Sequence, residues 1–159
     1  MSGLSHMRTD TGPPLYAALD LGTNNCRLLV ATPLTRGFRV IDSFSRMVRL
    51  GEGLGTTGRL CEAAMERALD AIALCAERLA RRPARRVRAV ATEACRKASN
   101  GEGFLARVRE TTGIDFEVIG PREEAELAVE SCASLLAGPE HRALLFDIGG
   151  GSTELAWLR

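Results

Sequence analysis

D-L-G-T-N-N, from Asp20 to Asn25, and D-I-G-G-G-S-T-E, from Asp147 to Glu154, are two stretches with one grammar. Each follows an apolar run, Tyr16-Ala17-Ala18-Leu19 in one case and Leu144-Leu145-Phe146 in the other. Each then leads into another apolar stretch, so both read as strand, tight turn, strand. Glycine in such a turn lets backbone N–H groups approach a phosphate closely and permits positive φ. The acid that ends the first strand suits a cation or a positioned water. One glycine turn says little; two with the acid in the same place point to a clamp for phosphate groups.

The rest of the chain alternates strand and helix around these turns. Residues 15–20, 27–33 and 38–48 read as three strands with short links, an antiparallel meander. A glycine-rich loop from Arg49 to Leu60 follows. The helix over 62–81 is marked by Met65, Leu69, Ile72, Ala76 and Leu79, which step by three and four and predict one buried stripe. Glu62 at its start and Arg78, Arg81 and Arg82 at its end suit the helix dipole, and Pro83 stops it. A strand over 87–92, a helix over 103–111 closed by Gly113, and a strand over 116–119 come next. A second long helix is expected over 122–137, with Leu127, Val129, Cys132, Leu135 and Leu136 apolar and Gly138-Pro139 ending it. Strands over 143–148 and 153–158 then flank the second turn. This order predicts an α/β fold, a mixed sheet with helices on its faces.

The chain stops at Trp157-Leu158-Arg159, in mid-hairpin. A two-stranded hairpin alone is marginal in water, and its open edge invites pairing. The expectation is therefore a fragment whose remainder completes a second sheet, with homodimerisation through the open edge as a further expectation.

The bulk numbers suit an ordinary globular chain: 159 residues, 45% hydrophobic and 26% charged. A formal charge of +1 gives no reason to expect a nucleic-acid binder. Cys26, Cys61, Cys75, Cys95 and Cys132 form no C-x-x-C and meet only two histidines in the chain, which argues against zinc and against a disulfide framework. Reduced thiols and a cytoplasmic setting are expected. No apolar run approaches the ~20 residues of a membrane span. The first dozen residues lack a basic stretch followed by an apolar core, and Ser5-His6-Met7 reads as a cloning remnant. Residues 1–14 are accordingly expected to be a disordered tag or leader.

Other motifs carry less. Gly53, Gly55 and Gly58 spell G-x-G-x-x-G, but the acid at the right distance, Glu77, falls inside the long helix, so a dinucleotide site is disfavoured. The second turn lacks the G-K-[ST] of a P-loop. P-R-E-E-A-E-L, Pro121 to Leu127, opens a helix with adjacent glutamates that favour its N-terminus. Successive helical residues point ~100° apart, so at most one of Glu123 and Glu124 faces a given site. A-T-E-A-C-R-K-A-S-N, Ala91 to Asn100, puts Arg96 and Lys97 soon after a strand, where they suit an anion pocket or an exposed loop. Arg81, Arg82, Arg85, Arg86 and Arg88 read as a solvated basic surface, with guidance of a long anion as the alternative.

In order, D-L-G-T-N, R-L-G-E-G-L-x-x-T-G-x-L, A-T-x-A-x-R-x-A-x-N, the E-E-A step and D-I-G-G-G-S-T-E-L resemble the exopolyphosphatase/guanosine pentaphosphate phosphatase (Ppx/GppA) family. That family belongs to the actin-like ATPase superfamily. The resemblance covers about residues 15–159. It implies two ribonuclease-H-like lobes facing a cleft, with residues 15–120 as the first and 121–159 as the helix and hairpin that open a truncated second. It implies release of the terminal phosphate of inorganic polyphosphate or the 5′-phosphate of pppGpp. Glu124 would direct or deprotonate the attacking water, while Asp147 and Glu154 would hold Mg²⁺ or its water shell. Gly22, Thr23, Asn24 and Asn25, with Asp20 nearby, and Gly149, Gly150, Gly151 and Ser152 would bind phosphate oxygens, and Arg96 would help neutralise charge. Such roles suit phosphoryl transfer, which depends on positioning and charge neutralisation.

Three residues depart from the family pattern. Asn25 replaces Ser or Thr, Glu93 stands where a small or neutral residue is usual and is expected to pair with Arg96, and Cys61 replaces a Ser, losing a helix cap of about 1 kcal/mol. A non-catalytic polyphosphate or alarmone sensor with the same cleft is the alternative. A sugar or acetate kinase relative would share the turns but not the E-E-A helix start.

Overall fold

The computed structural model describes residues 12–132 and 142–158. Strands β1 (Tyr16–Leu21), β2 (Asn25–Pro33) and β3 (Phe38–Met47) form the expected meander. A short helix α1 (Leu54–Thr57) and the long helix α2 (Glu62–Arg81) precede β4 (Arg86–Ala91). Helices α3 (Glu93–Lys97) and α4 (Gly101–Thr112), strand β5 (Glu117–Val118) and helix α5 (Pro121–Ser131) follow. Strands β6 (Ala143–Ile148) and β7 (Thr153–Leu158) close the described chain. The expected helix end at Leu135, Leu136, Gly138 and Pro139, and most of the expected leader, lie outside the described residues.

One sheet has the order β3-β2-β1-β4-β5, and β6 and β7 form a second. Strand β1 is antiparallel to β2 and parallel to β4, which is itself parallel to β5. The sheet is thus mixed, as expected. Its buried face is set by alternation: Ala17, Leu19 and Leu21 on β1, and Cys26, Leu28 and Val30 on β2. Helices α2 and α4 cover that face with Ile72, Phe104, Leu105 and Val108.

The predicted stripe on α2 is rotated. Its most buried line is Ala64, Ala68, Ala71, Ile72 and Cys75, while Met65, Leu69, Ala76 and Leu79 are only partly buried beside it. Small side chains on that line let the helix lie close against the sheet, and the larger ones fill the flanks. Cys61 gives α2 no side-chain cap. At the other end Asp42 of β3 accepts from Arg78 at 2.9 Å and Arg82 at 2.8 Å, fastening the meander to the last turn.

Two short helices replace expected loops. Gly53 and Gly58 bound α1 with φ of 74° and 65°. The G-x-G-x-x-G spacing thus supplies left-handed helix ends. Helix α3 occupies the stretch holding Arg96 and Lys97. The loop's end is fixed by Asn100, whose side chain accepts from Leu60 N–H at 2.8 Å and donates to Leu60 C=O at 3.0 Å. The β6–β7 pair leaves Leu144, Phe146, Ile148, Leu155 and Trp157 exposed on one face.

Candidate active site

The two turns close in the same way. Gly22 N–H donates to Asn25 C=O at 2.9 Å, and Gly149 N–H donates to Ser152 C=O at 2.9 Å. Their strands pair in equivalent register, so Asp20 lies opposite Arg27 and Asp147 opposite Glu154. The acid therefore faces a cation in the first hairpin and a second acid in the other. In the first turn the carbonyls are already engaged: Asn24 C=O accepts from Val48 and Arg49, and Thr23 C=O from Gly51. That directs the turn's acceptor oxygens into the Arg49–Leu60 loop.

Positive φ is not what these turns require. Among the described glycines it occurs at Gly37, Gly53, Gly58 and Gly113, and at none of Gly22, Gly149, Gly150 and Gly151. What they require is the missing side chain. A Cβ on Gly150 would lie 2.5 Å from Asn24 Cγ and Nδ2, and one on Gly151 would lie 3.2 Å from Thr23 Oγ1. The second turn is packed on the first.

Between them is a cleft of about 270 Å³. Asp20, Gly22, Thr23, Asn24 and Asn25 line it from the first hairpin. Asp147, Gly149, Gly150, Ser152 and Glu154 line it from the other, and Glu124 enters from the first turn of α5. Helical geometry separates the adjacent glutamates: Glu123 accepts from Arg88 at 2.5 Å, outside the cleft. Burial raises the pKa of Glu124; Glu154 raises it further, while Arg96 opposes the shift. Burial likewise raises the pKa of Asp20, against the pull of Arg27 and with a further push from Asp147. Among the described residues, no three His, Cys, Asp or Glu side chains are grouped so as to hold a metal ion by themselves.

The family model described as the Ppx/GppA phosphatase family matches residues 29–159. The chain belongs to the Ppx/GppA family. A guanosine-5′-triphosphate,3′-diphosphate pyrophosphatase from Photobacterium profundum is 39% identical over 142 residues, covering 89% of this chain and 28% of that relative. The Ppx/GppA member from Aquifex aeolicus superposes with a TM-score of 0.79 at 35% identity, over 91% of this chain and 47% of that one. An exopolyphosphatase from Cytophaga hutchinsonii gives a TM-score of 0.85 at 32% identity, over 91% and 46%. The chain thus spans between about a quarter and a half of these Ppx/GppA proteins, and its mixed sheet with flanking helices is their actin-like fold. No helix among the described residues is long and apolar enough to cross a membrane.

Not every expected Ppx/GppA site residue reaches the cleft. The Arg96 guanidinium donates to Ile119 C=O at 2.6 Å and to Glu124 Oε2 at 3.4 Å, and it lines a neighbouring cavity with Arg109 and Asp115. In this structure it rests on Glu124 and Ile119 and does not line the cleft between the turns. Gly151 lines an adjoining cleft instead. The expected pairing of Glu93 with Arg96 is corrected: Lys97, one helical turn on, takes Glu93. Arg27 and Thr92 line the cleft without having been singled out from the sequence. Arg27 had a signal, because any closed pairing about the first turn sets it opposite Asp20.

Proposed function

We propose that this Ppx/GppA chain serves the hydrolysis of a terminal phosphoanhydride, with inorganic polyphosphate or pppGpp as substrate. One observation carries the reading: a partly buried carboxylate, Glu124, shares a single cleft with both glycine turns. The relatives named as a guanosine-5′-triphosphate,3′-diphosphate pyrophosphatase and an exopolyphosphatase supply the two candidate substrates. In this reading residues 15–120 form the first lobe and 121–159 begin the second.

The terminal phosphate is held by Gly22, Thr23, Asn24 and Asn25 on one side and by Gly149, Gly150 and Ser152 on the other, with Arg27 as the nearby cation. Glu124 accepts a proton from a water as its oxygen bonds to phosphorus and the anhydride P–O bond breaks toward the departing chain. Arg96 keeps that carboxylate in place through its second bond to Ile119 C=O. The remaining acids fit Mg²⁺, since Asp147 and Glu154 are opposed hard-oxygen donors and the burial of Asp20 and Glu124 leaves negative charge poorly hydrated. Mg²⁺ takes one or two carboxylates, substrate phosphates and several waters, so a closed three-acid cage is not needed. Bound there, it would supply neutralisation of the phosphoryl oxygens. Asp147 and Glu154 would hold it.

The test is phosphate release from long-chain polyphosphate and from pppGpp with Mg²⁺, using the full-length protein and Glu124→Gln. Loss of about 10²–10⁴-fold in the variant is expected for a general base. Undiminished hydrolysis sinks the proposed base. Saturable binding without any release by the intact protein makes it a sensor. Residues 1–159 alone, spanning under half of the relatives, are expected to show little turnover.

A further inference from the structure

Glu93 is an unusual carboxylate. Its side chain is 7% exposed, and Oε1 is held by Lys97 of the next helical turn. Among the described residues, Oε2 is buried and has no hydrogen-bond partner. A carboxylate oxygen shut away from water without a donor is costly, so its retention invites a functional explanation.

Its position supplies one. A Cβ on Gly151 would meet Glu93 Oε2 at 3.0 Å and Thr23 Oγ1 at 3.2 Å, so this oxygen sits where the two turns touch. Behind that contact lies a second cleft of about 620 Å³, walled by Glu93, Lys97 and the glycines of the Arg49–Leu60 loop. Thr23 and Gly150 line both clefts. The first cleft, about 270 Å³, lies just below the ~300–1,000 Å³ range of small-molecule pockets. It suits a short phosphate chain rather than a long one. A longer chain anchored there must continue, and the second cleft adjoins it across the wall that carries Glu93.

We propose that Glu93 is a specificity-determining residue that disfavours long polyphosphate relative to short phosphoanhydrides. It rests on the reading of the turn cleft as the phosphate site. A short substrate stays within the first cleft and does not meet Glu93. A long polyanion passing Thr23 and Gly150 meets the donor-free edge of that carboxylate at close range and is repelled by it. Lys97 engages only the other oxygen, so the edge of the carboxylate turned toward the two turns has no donor among the described residues.

The experiment compares full-length wild type, Glu93→Gln, Lys97→Met and the double variant on tripolyphosphate and on polyphosphate several hundred phosphates long. The readout is the ratio of kcat/KM for long to short substrate. Glu93→Gln, nearly isosteric, is expected to raise that ratio by about fivefold or more, with tripolyphosphate unchanged within about twofold. The gain must persist in the Lys97→Met background. A gain that disappears there comes from freeing Lys97 to bind phosphate, and it overturns the proposal, as does an unchanged ratio. Thermal unfolding of each variant identifies loss of folding, and Glu93→Asp, which keeps the charge, should leave the ratio at the wild-type value. If the wild type hydrolyses neither substrate, the proposed activity fails on its own. Calorimetric binding of the same two anions then reads Glu93 directly, and equal affinity ratios in wild type and Glu93→Gln refute the role.

Discussion

Gly150 lies on the side chain of Asn24, with a Cβ at that glycine placed 2.5 Å from both Asn24 Cγ and Nδ2. The contact joins residues far apart in the chain and fixes how closely the two turns approach. Gly150→Ala must therefore push Asn24 aside or part the turns, whatever the backbone angle. Affinity of the full-length protein for a phosphoanhydride should fall by about tenfold, the equivalent of ~1.4 kcal/mol, with little loss of melting temperature. Wild-type affinity in calorimetry would show that the turns do not act together.

Asp20 offers a test by pH. Burial raises its folded pKa above the ordinary 3.8, so the folded state holds the proton more tightly than the unfolded chain. Stability from this group is complete below the unfolded pKa and is lost as pH rises through the folded value. Ionised Asp20 is thus a cost at neutral pH. Asp20→Asn should raise the melting temperature there, and the gap should close as pH falls below 3.8. A melting temperature lowered at neutral pH would show that Arg27 outweighs burial.

Arg96 separates two roles by kinetics. Its guanidinium draws down the pKa of Glu124, which burial and Glu154 raise. Arg96→Ala removes that pull, so the acidic limb of the kcat/KM profile of the full-length protein should move to higher pH. An Arg bound to substrate would instead raise KM and leave the limb in place. Phosphate release measured across pH distinguishes them.

Leu144, Phe146, Ile148, Leu155 and Trp157 stand exposed on one face of the β6–β7 pair. Residues 1–159 prepared alone should self-associate through this hairpin, by its apolar face or its open edge. Light scattering over a concentration series checks this, and a monomer at every concentration refutes it.

Much of the fold was legible because its signals are local. Pro83 and the acid-to-base gradient marked both ends of α2, and Gly113 marked the end of α4. The rotated stripe was not, because periodicity is weighted by large side chains, whereas Ala64, Ala68 and Ala71 gain burial from how close the helix lies to the sheet. Helices α1 and α3 are too short to show a period. In the candidate site, the two turns stood out by type and spacing, whereas type and spacing left Glu123 and Glu124 open and the family resemblance pointed to Glu124. The direction of Arg96 could not be read, because its strongest bond is to Ile119 C=O, a backbone atom that no motif records. Nor could the closeness of Glu93 Oε2 to Gly151, which comes from the other sheet and would place a Cβ 3.0 Å away.

The equivalent register of the two hairpins has one more consequence. Copies of a single device would by themselves make a cleft with interchangeable sides, into which an anion could enter either way round. Here the copies differ at the position opposite the acid, Arg27 in one and Glu154 in the other. That difference would give the cleft a polarity, so that a molecule with unlike ends bound there would have one preferred orientation.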